Sequence, residues 1–352
     1  MKYHMFMAVA ALAAAGCHRE SDKQDGQQAQ SADAGIAALR FEDARPQGAM
    51  PPALPNLGIE VALDRAGFSS GVIDGKATRF DRMALKGFQL ANGLEPTGKP
   101  DARTMALLPK VSATRTVRVP EAFARGPFVP DLPKQTGKQA GFDHLGYRDL
   151  SEALAERFHT TPETLAALNP PGAAIGAGSV IQVPDVADID ATKLGADERG
   201  WNATLATLAV APDQPRAEKV VVSKSGGWLR AYDGSGKLLV QFPATMGSEH
   251  DPLPIGHWKI LGVSKNPDFH YNPKLFWDVK DSEKEHLLKP GPNGPVGVVW
   301  LDLSKEHYGI HGTGEPSSIG NSESHGCVRL TNWDAARLAQ MVKAGTQVVF
   351  QR

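Results

Sequence analysis

The sequence predicts a multidomain chain: a small all-α module, then a small βααβ module, then a mainly-β domain. Three observations predict it. At 352 residues the chain is too long for one modest core, so two to three domains are expected. Apolar residues recur at helical spacing between Leu57 and Leu108, but they alternate in short runs after Lys219. The 36 glycines and 26 prolines punctuate the chain as turns and linkers rather than long helices. Apolar content of 41% with 22% charged residues describes a globular protein. A net charge of −1 gives no electrostatic case for nucleic acid as a partner.

Taken in order, residues 1–17 have a basic start, a short apolar run and small residues before Cys17. The run is too short for a stable membrane span, so a signal peptide is expected. Ala15-Gly16-Cys17 resembles a bacterial lipobox, with Ala14 where that pattern prefers leucine. The resemblance implies lipidation at Cys17; the competing reading is secretion with simple cleavage. Residues 18–56, rich in Gln, Ser, Asp, Ala, Gly and Pro, read as a flexible tether.

Residues 57–110 regain helical spacing. Phe80, Ala84, Leu85 and Phe88 form one apolar stripe, Asn92-Gly93 offers a left-handed stop, and Asp101 opens a shorter helix. Residues 111–144 read as linker. In 145–185, Thr161 is a natural N-cap followed by Pro162 at the first helical position and Glu163 in the first turn. That places two short helices before the strand-like Val180-Ile181-Gln182-Val183. Residues 186–216 read as a connector with a short helix near Trp201. From 217 to 352 the texture is strands: Lys219–Val222, Trp228–Tyr232 and Leu238–Phe242 around a Gly-containing turn, then Pro254–Ile260, Val298–Leu303 and Thr346–Phe350. A helix from Asn332, with Asn332 as its cap, precedes the last strand, and the polar, aromatic, Pro/Gly-rich 266–295 suits a lid.

The chemistry concentrates between Tyr308 and Leu330. Gly309-Ile310 before His311 and Val328-Arg329-Leu330 after Cys327 read as short strands joined by a loop that can bring His311 to Cys327. A thiol is a strong nucleophile once deprotonated, and a nearby imidazole can take its proton to leave a thiolate–imidazolium pair. A solitary cysteine is more often a small buried hydrophobe, but not one in this company. Zinc on His311, His325 and Cys327 is chemically possible, yet no fourth ligand stands out, so no metal is expected. His144, His159, His250, His257, His270, His286 and His307 have no comparable neighbours and read as ordinary surface or core residues. With Cys17 in a processed segment and Cys327 in a reactive loop, no disulfide is expected.

His311-Gly312-Thr313 followed by Ser324-His325-Gly326-Cys327-Val328-Arg329-Leu330 resembles the signature of the L,D-transpeptidase catalytic domain, which acts on bacterial peptidoglycan. The resemblance implies that Cys327 is the nucleophile and His311 the general base. It further implies that Ser324, His325 and Gly326, with Gly312 and Thr313, shape the pocket and oxyanion site. Arg329 would bind substrate or brace the loop. No cofactor is implied. Residues 57–110 resemble the helical peptidoglycan-binding module of cell-wall hydrolases, and 145–185 resemble a lysin-motif (LysM) domain, whose family binds N-acetylglucosamine glycans. The expected partners are peptidoglycan stem peptides and glycan, with the membrane reached through a lipid anchor. The expected location is the periplasmic side of the envelope, at the outer membrane in a Gram-negative host, since His18 and not Asp follows Cys17. The two modules are expected to tether an independent catalytic domain without touching its chemistry. Two alternatives remain: an L,D-carboxypeptidase or hydrolase on the same scaffold, and a non-catalytic wall-binding protein.

Overall fold

The computed structural model describes residues 35–275, 279 and 284–352. The expected signal segment and Cys17 lie outside the described residues. Helices α1 (Leu57–Arg65), α2 (Arg79–Ala91) and α3 (Ala102–Leu107) form the first unit. Thr78 and Asp81 close a reciprocal capping box on α2, and Asp101 accepts from Thr104 N to start α3. α2 stops as the sequence predicts, with Gly93 at φ +69°. Leu63, Phe68, Ala84, Leu85, Phe88 and Leu108 fill the core.

The middle unit differs from expectation. Strands β1 (Glu42–Asp43), β2 (Thr114–Arg118) and β3 (Val180–Pro184) form an antiparallel sheet in that order. Helices α4 (Glu121–Arg125), α5 (Leu150–Arg157) and α6 (Pro162–Leu168) lie between β2 and β3 in sequence. The strand that pairs with β3 therefore comes from the stretch expected as linker, and β1 from the expected tether. The polar Thr-Arg-Thr-Val-Arg run of β2 hides a single inward residue, the fully buried Val117, so alternation is too short to see. The expected tether contributes as well. Phe41 is 2% exposed and packs edge-on against Phe123 (5.0 Å) and Phe158 (5.1 Å), with the Arg157 guanidinium over its ring.

The third unit is an eight-stranded sheet of β4 (Lys219–Ser223), β5 (Trp228–Tyr232), β6 (Leu238–Pro243), β7 (Gly256–Lys265), β10 (Val299–Leu303), β11 (Gly309–His311), β12 (Val328–Arg329) and β13 (Gln347–Gln351). Its order is β12-β11-β10-β7-β13-β4-β5-β6; β11/β12 and β13/β4 are parallel and the other pairs antiparallel. β8 (Phe269–Tyr271) pairs with β9 (His286–Leu288) as a separate ribbon in the expected lid. Helices α7 (Trp201–Leu208) and α8 (Asn332–Met341) pack on the sheet. Trp201, Leu205 and Leu208 belong to the same core as Phe242, Trp333 and Phe350, so the expected connector is part of this unit. Thr331, not Asn332, caps α8: its hydroxyl accepts from Asp334 N at 3.2 Å, which leaves the Asn332 side chain for other partners.

The units are not beads on a string. β6 is an edge strand, and residues 67–69 cover it through Ser69 N to Gln241 O and Gln241 N to Gly67 O, both 3.0 Å. Asp64 of α1, His159 after α5 and Arg337 of α8 meet in one buried cluster. Arg337 grips Asp64 with two 2.9 Å bonds, and His159 faces Asp64 at 3.1 Å while its ring stacks on Trp333. Burial works against the Asp64 charge, but Arg337 and His159 outweigh it and hold the carboxyl well below its usual range. His159 is thus a three-way joint, not an ordinary core residue.

Burial raises several other carboxyls, Asp81 among them, with smaller help from neighbouring carboxylates. Glu60 and Glu156 are pushed up to about 8 and Asp334 to about 7, chiefly by desolvation. The folded state then holds protons that the unfolded chain releases near pH 4. Their contribution is fully present below that point and is lost as pH rises through about 7–8. Melting temperature is expected to fall between about pH 5 and pH 9, with the slope reduced in Glu156→Gln. A melting temperature that rises over that window would contradict these assignments.

Candidate active site

The site is built where β11 and β12 lie side by side. Ile310 pairs with Val328 and His311 with Arg329. Residues at one level of a parallel pair, and residues two apart on a strand, share a face. His311 and Arg329 are therefore set on one face, and Cys327, in the bend just before β12, lines with both of them a cleft of about 1460 Å³. The loop between the strands is pinned at several points. Arg329 N and O bond Thr245 O and N at 2.9 and 3.0 Å, Gly320 N donates to Thr245 Oγ1 at 2.7 Å, and Ser248 N reaches Ser324 O at 3.1 Å.

Each predicted residue has a definite place. Ser324 is 4% exposed and its hydroxyl donates to Cys327 O at 2.5 Å, so it holds the Cys327 turn from behind. Gly326 has φ +99°, and a Cβ there would lie 2.5 Å from the Tyr308 ring; backbone and packing both require glycine. A Cβ on Gly312 would meet Asn332 Oδ1 at 2.3 Å, so this glycine permits a close approach. Thr313 and His325 line the cleft, while Gly312, Ser324 and Gly326 sit behind its wall.

His311 is buried, and its Nδ1–H donates to Gly312 O at 2.8 Å, which leaves Nε2 with the lone pair. Its ring stacks on Trp300 at 5.7 Å. Burial first, then the Arg329 charge, bring its pKa down to about 3. Burial also pushes the Cys327 thiol up, against the pull of Gly309 N–H and Arg329. Burial disfavours both charged forms, so it favours a neutral thiol beside a neutral imidazole over the thiolate–imidazolium pair that the sequence allows. Proton transfer must accompany attack. The neutral imidazole persists down to about pH 3, so the rate of Cys327 acylation is expected to show no acidic limb near pH 6.5 and to stay level to about pH 5. Burst measurements across pH 5–8 check this; a limb at about 6.5 would show His311 to be an ordinary histidine.

Sequence reasoning missed part of the wall. Trp300 and Tyr308 line the cleft, as do Lys134, Lys138, Gln139 and Arg148 of the middle unit and Asn293 near the end of the 266–295 segment. Trp300 shows up in the sequence only as a strand residue. The 126–149 insertion carries no local signal, because only the tertiary fold brings it across. Around it, Leu132 and Leu145 pack with Tyr271 and Leu288 of the β8–β9 ribbon.

A mainly-β sheet with a thiol and a neutral imidazole lining one cleft has the make-up of an acyl-transfer domain. The chain belongs to the L,D-transpeptidase family. Residues 217–350 match the family model described as "L,D-transpeptidase catalytic domain", and residues 59–108 match "Putative peptidoglycan binding domain". The chain is 30% identical over 199 residues to "Putative L,D-transpeptidase YkuD" of Bacillus licheniformis, covering 56% of this chain and 90% of that one. It is 54% identical over 116 residues to the protein of the same name in Bacillus subtilis, covering 33% of this chain and 56% of that one. A solved structure of L,D-transpeptidase 3 from Mycobacterium tuberculosis, in complex with a faropenem-derived adduct, aligns at 19% identity with a TM-score of 0.32, over 39% of this chain and 60% of that one.

Proposed function

We propose that this chain cross-links peptidoglycan by cysteine-dependent L,D-transpeptidation. The observation that carries the reading is that Cys327 and His311 line one cleft in a chain of this family. The Cys327 sulfur attacks the carbonyl that joins the L-centre of the third stem residue to D-Ala, and His311 Nε2 takes the thiol proton. Backbone N–H groups around Gly326-Cys327 receive the developing oxyanion. D-Ala leaves with the proton from His311, and an amine acceptor then takes the acyl group from the thioester. Burial, with the Arg329 charge second to it, keeps the imidazole neutral. Ser324, Gly326 and Gly312 fix the backbone on which the two reacting groups sit, and Thr313 and His325 form wall.

The first unit holds the chain on peptidoglycan. The middle unit is LysM-like and offers a second glycan contact, with the strand that pairs with β3 at 114–118 instead of within 145–185. The protein works in the cell envelope, anchored by lipid at Cys17. Labelled fatty acid is expected to enter the wild-type chain and not Cys17→Ala; unlabelled, soluble wild type would remove the anchor.

Mass spectrometry of disaccharide-tetrapeptide incubated with the chain tests the reaction. With an amine acceptor present, cross-linked product and free D-Ala are expected. Tripeptide alone under all acceptor conditions would mean that water resolves the thioester and that the enzyme is an L,D-carboxypeptidase.

A further inference from the structure

Two glutamates of the middle unit reach toward the catalytic base. Glu152 and Glu156 stand four residues apart on α5, hence on one face of the helix. Glu156 accepts from Asn332 Nδ2 at 3.0 and 3.1 Å, and from Tyr147 Oη at 2.9 Å. Asn332 in turn donates to Pro292 O at 3.0 Å, while its Oδ1 accepts from Val298 N at 3.3 Å and lies against Gly312. Gly312 O is the acceptor that fixes His311 Nδ1–H. Glu156 therefore stands two contacts from the backbone that sets the tautomer and tilt of the base.

Glu152 makes the parallel link. It accepts from Asn293 Nδ2 at 3.0 Å, and Asn293 also donates to Gly146 O at 3.0 Å from its side chain and to Leu145 O at 2.9 Å from its backbone. A Cβ on Gly314 would lie 2.3 Å from Asn293 Oδ1, so Asn293 is wedged between the middle unit and the loop leaving His311. The turn at 290–294 is thus clamped from one side by α5 and from the other by the His311 loop. Nothing in this arrangement is needed merely to bury apolar surface. Each of four buried or half-buried polar side chains makes at least one bond across a junction that ends at Gly312 and Gly314, although Glu152 also pairs with Arg148 at 2.7 Å within its own unit.

We propose that Glu152 and Glu156 are positioning residues for the acyl-transfer site, acting through Asn293 and Asn332 on the His311 loop. The middle unit then does more than hold glycan: its docking sets whether the base is correctly aimed. This inference rests on the transpeptidase reading above. It predicts an effect on the acylation step itself, since small misplacement of a reacting group costs on the order of tenfold to a hundredfold in rate.

The test uses the full chain and disaccharide-tetrapeptide as donor, with kcat and KM for Cys327 acylation, melting temperature and Cys327 alkylation by a small haloacetamide measured together. Glu152→Ala and Glu156→Ala are expected to lower kcat by about tenfold or more, with KM and alkylation nearly unchanged. Glu152→Gln and Glu156→Gln, which keep an acceptor oxygen, are expected to restore the wild-type rate. Asn293→Ala, which leaves α5 intact, is expected to reproduce the Glu152→Ala loss and serves where the α5 variants do not fold. Wild-type kcat in folded alanine variants overturns the inference, as does a loss that tracks only the unfolded fraction. A wild-type chain that forms no acyl-enzyme overturns the transpeptidase reading itself; unimpaired variants beside an active wild type overturn this inference alone.

Discussion

Replacement of Cys327 by alanine is expected to leave a folded chain that forms no thioester and no cross-linked product. The substitution removes a half-buried sulfur from a turn whose other bonds are made by backbone and by Ser324, so the fold has little reason to change. His311→Ala is expected to lose nearly as much, on the order of thousands-fold, because nucleophile and base act as one unit. The neutral resting pair sharpens the point. With the thiol pushed up by burial, its proton has to be taken off as the sulfur attacks, and His311 is the base assigned to that step. Acylation rates with the tetrapeptide donor check both variants. Full activity in folded Cys327→Ala would remove the thiol from the mechanism.

The second large effect is structural. Arg337→Ala is expected to destabilise the chain by about 3–5 kcal/mol, the cost of leaving a buried charge without its partner. Arg337 bonds both oxygens of Asp64 and reaches Asp334 at 3.3 Å, so its loss strands two buried carboxyls where three units meet. Asp64 is the one that matters, because it is held ionised by Arg337 and His159, whereas burial already favours the protonated form of Asp334. Calorimetry is expected to show a melting point lower by roughly ten degrees. A change of about 1 kcal/mol or less would mean that water enters the cluster freely.

Much of the catalytic unit was legible in the sequence because its signals are local. Alternating Val and Leu runs mark β4, β5, β6, β10 and β13, and the two short strands flanking the reactive loop follow from Gly309-Ile310 and Val328-Arg329. The caps at Asp101 and Thr161 are local as well. What was not legible depends on partners far away in the chain. Phe41 is a lone aromatic in a polar stretch until Phe123 and Phe158 close on it. Residues 114–118 become a strand by pairing with 180–184. Asn332 looks like a cap, but Thr331 takes that place, and Asn332 spends its amide on Glu156 of another unit. The contacts that the catalytic unit makes with the rest of the chain were hidden for the same reason: its β8–β9 ribbon packs on Leu132 and Leu145, and its cleft includes Lys134 and Arg148.

Intact-protein mass spectrometry of the full chain mixed with disaccharide-tetrapeptide, followed by peptide mapping, tests the central claim most directly. The predicted result is a transient adduct equal to the donor minus D-Ala, located on the peptide that carries Cys327 and discharged when an amine acceptor is added. Cross-linked product formed with no adduct on Cys327 at any time, or an adduct that maps to another residue, would contradict it.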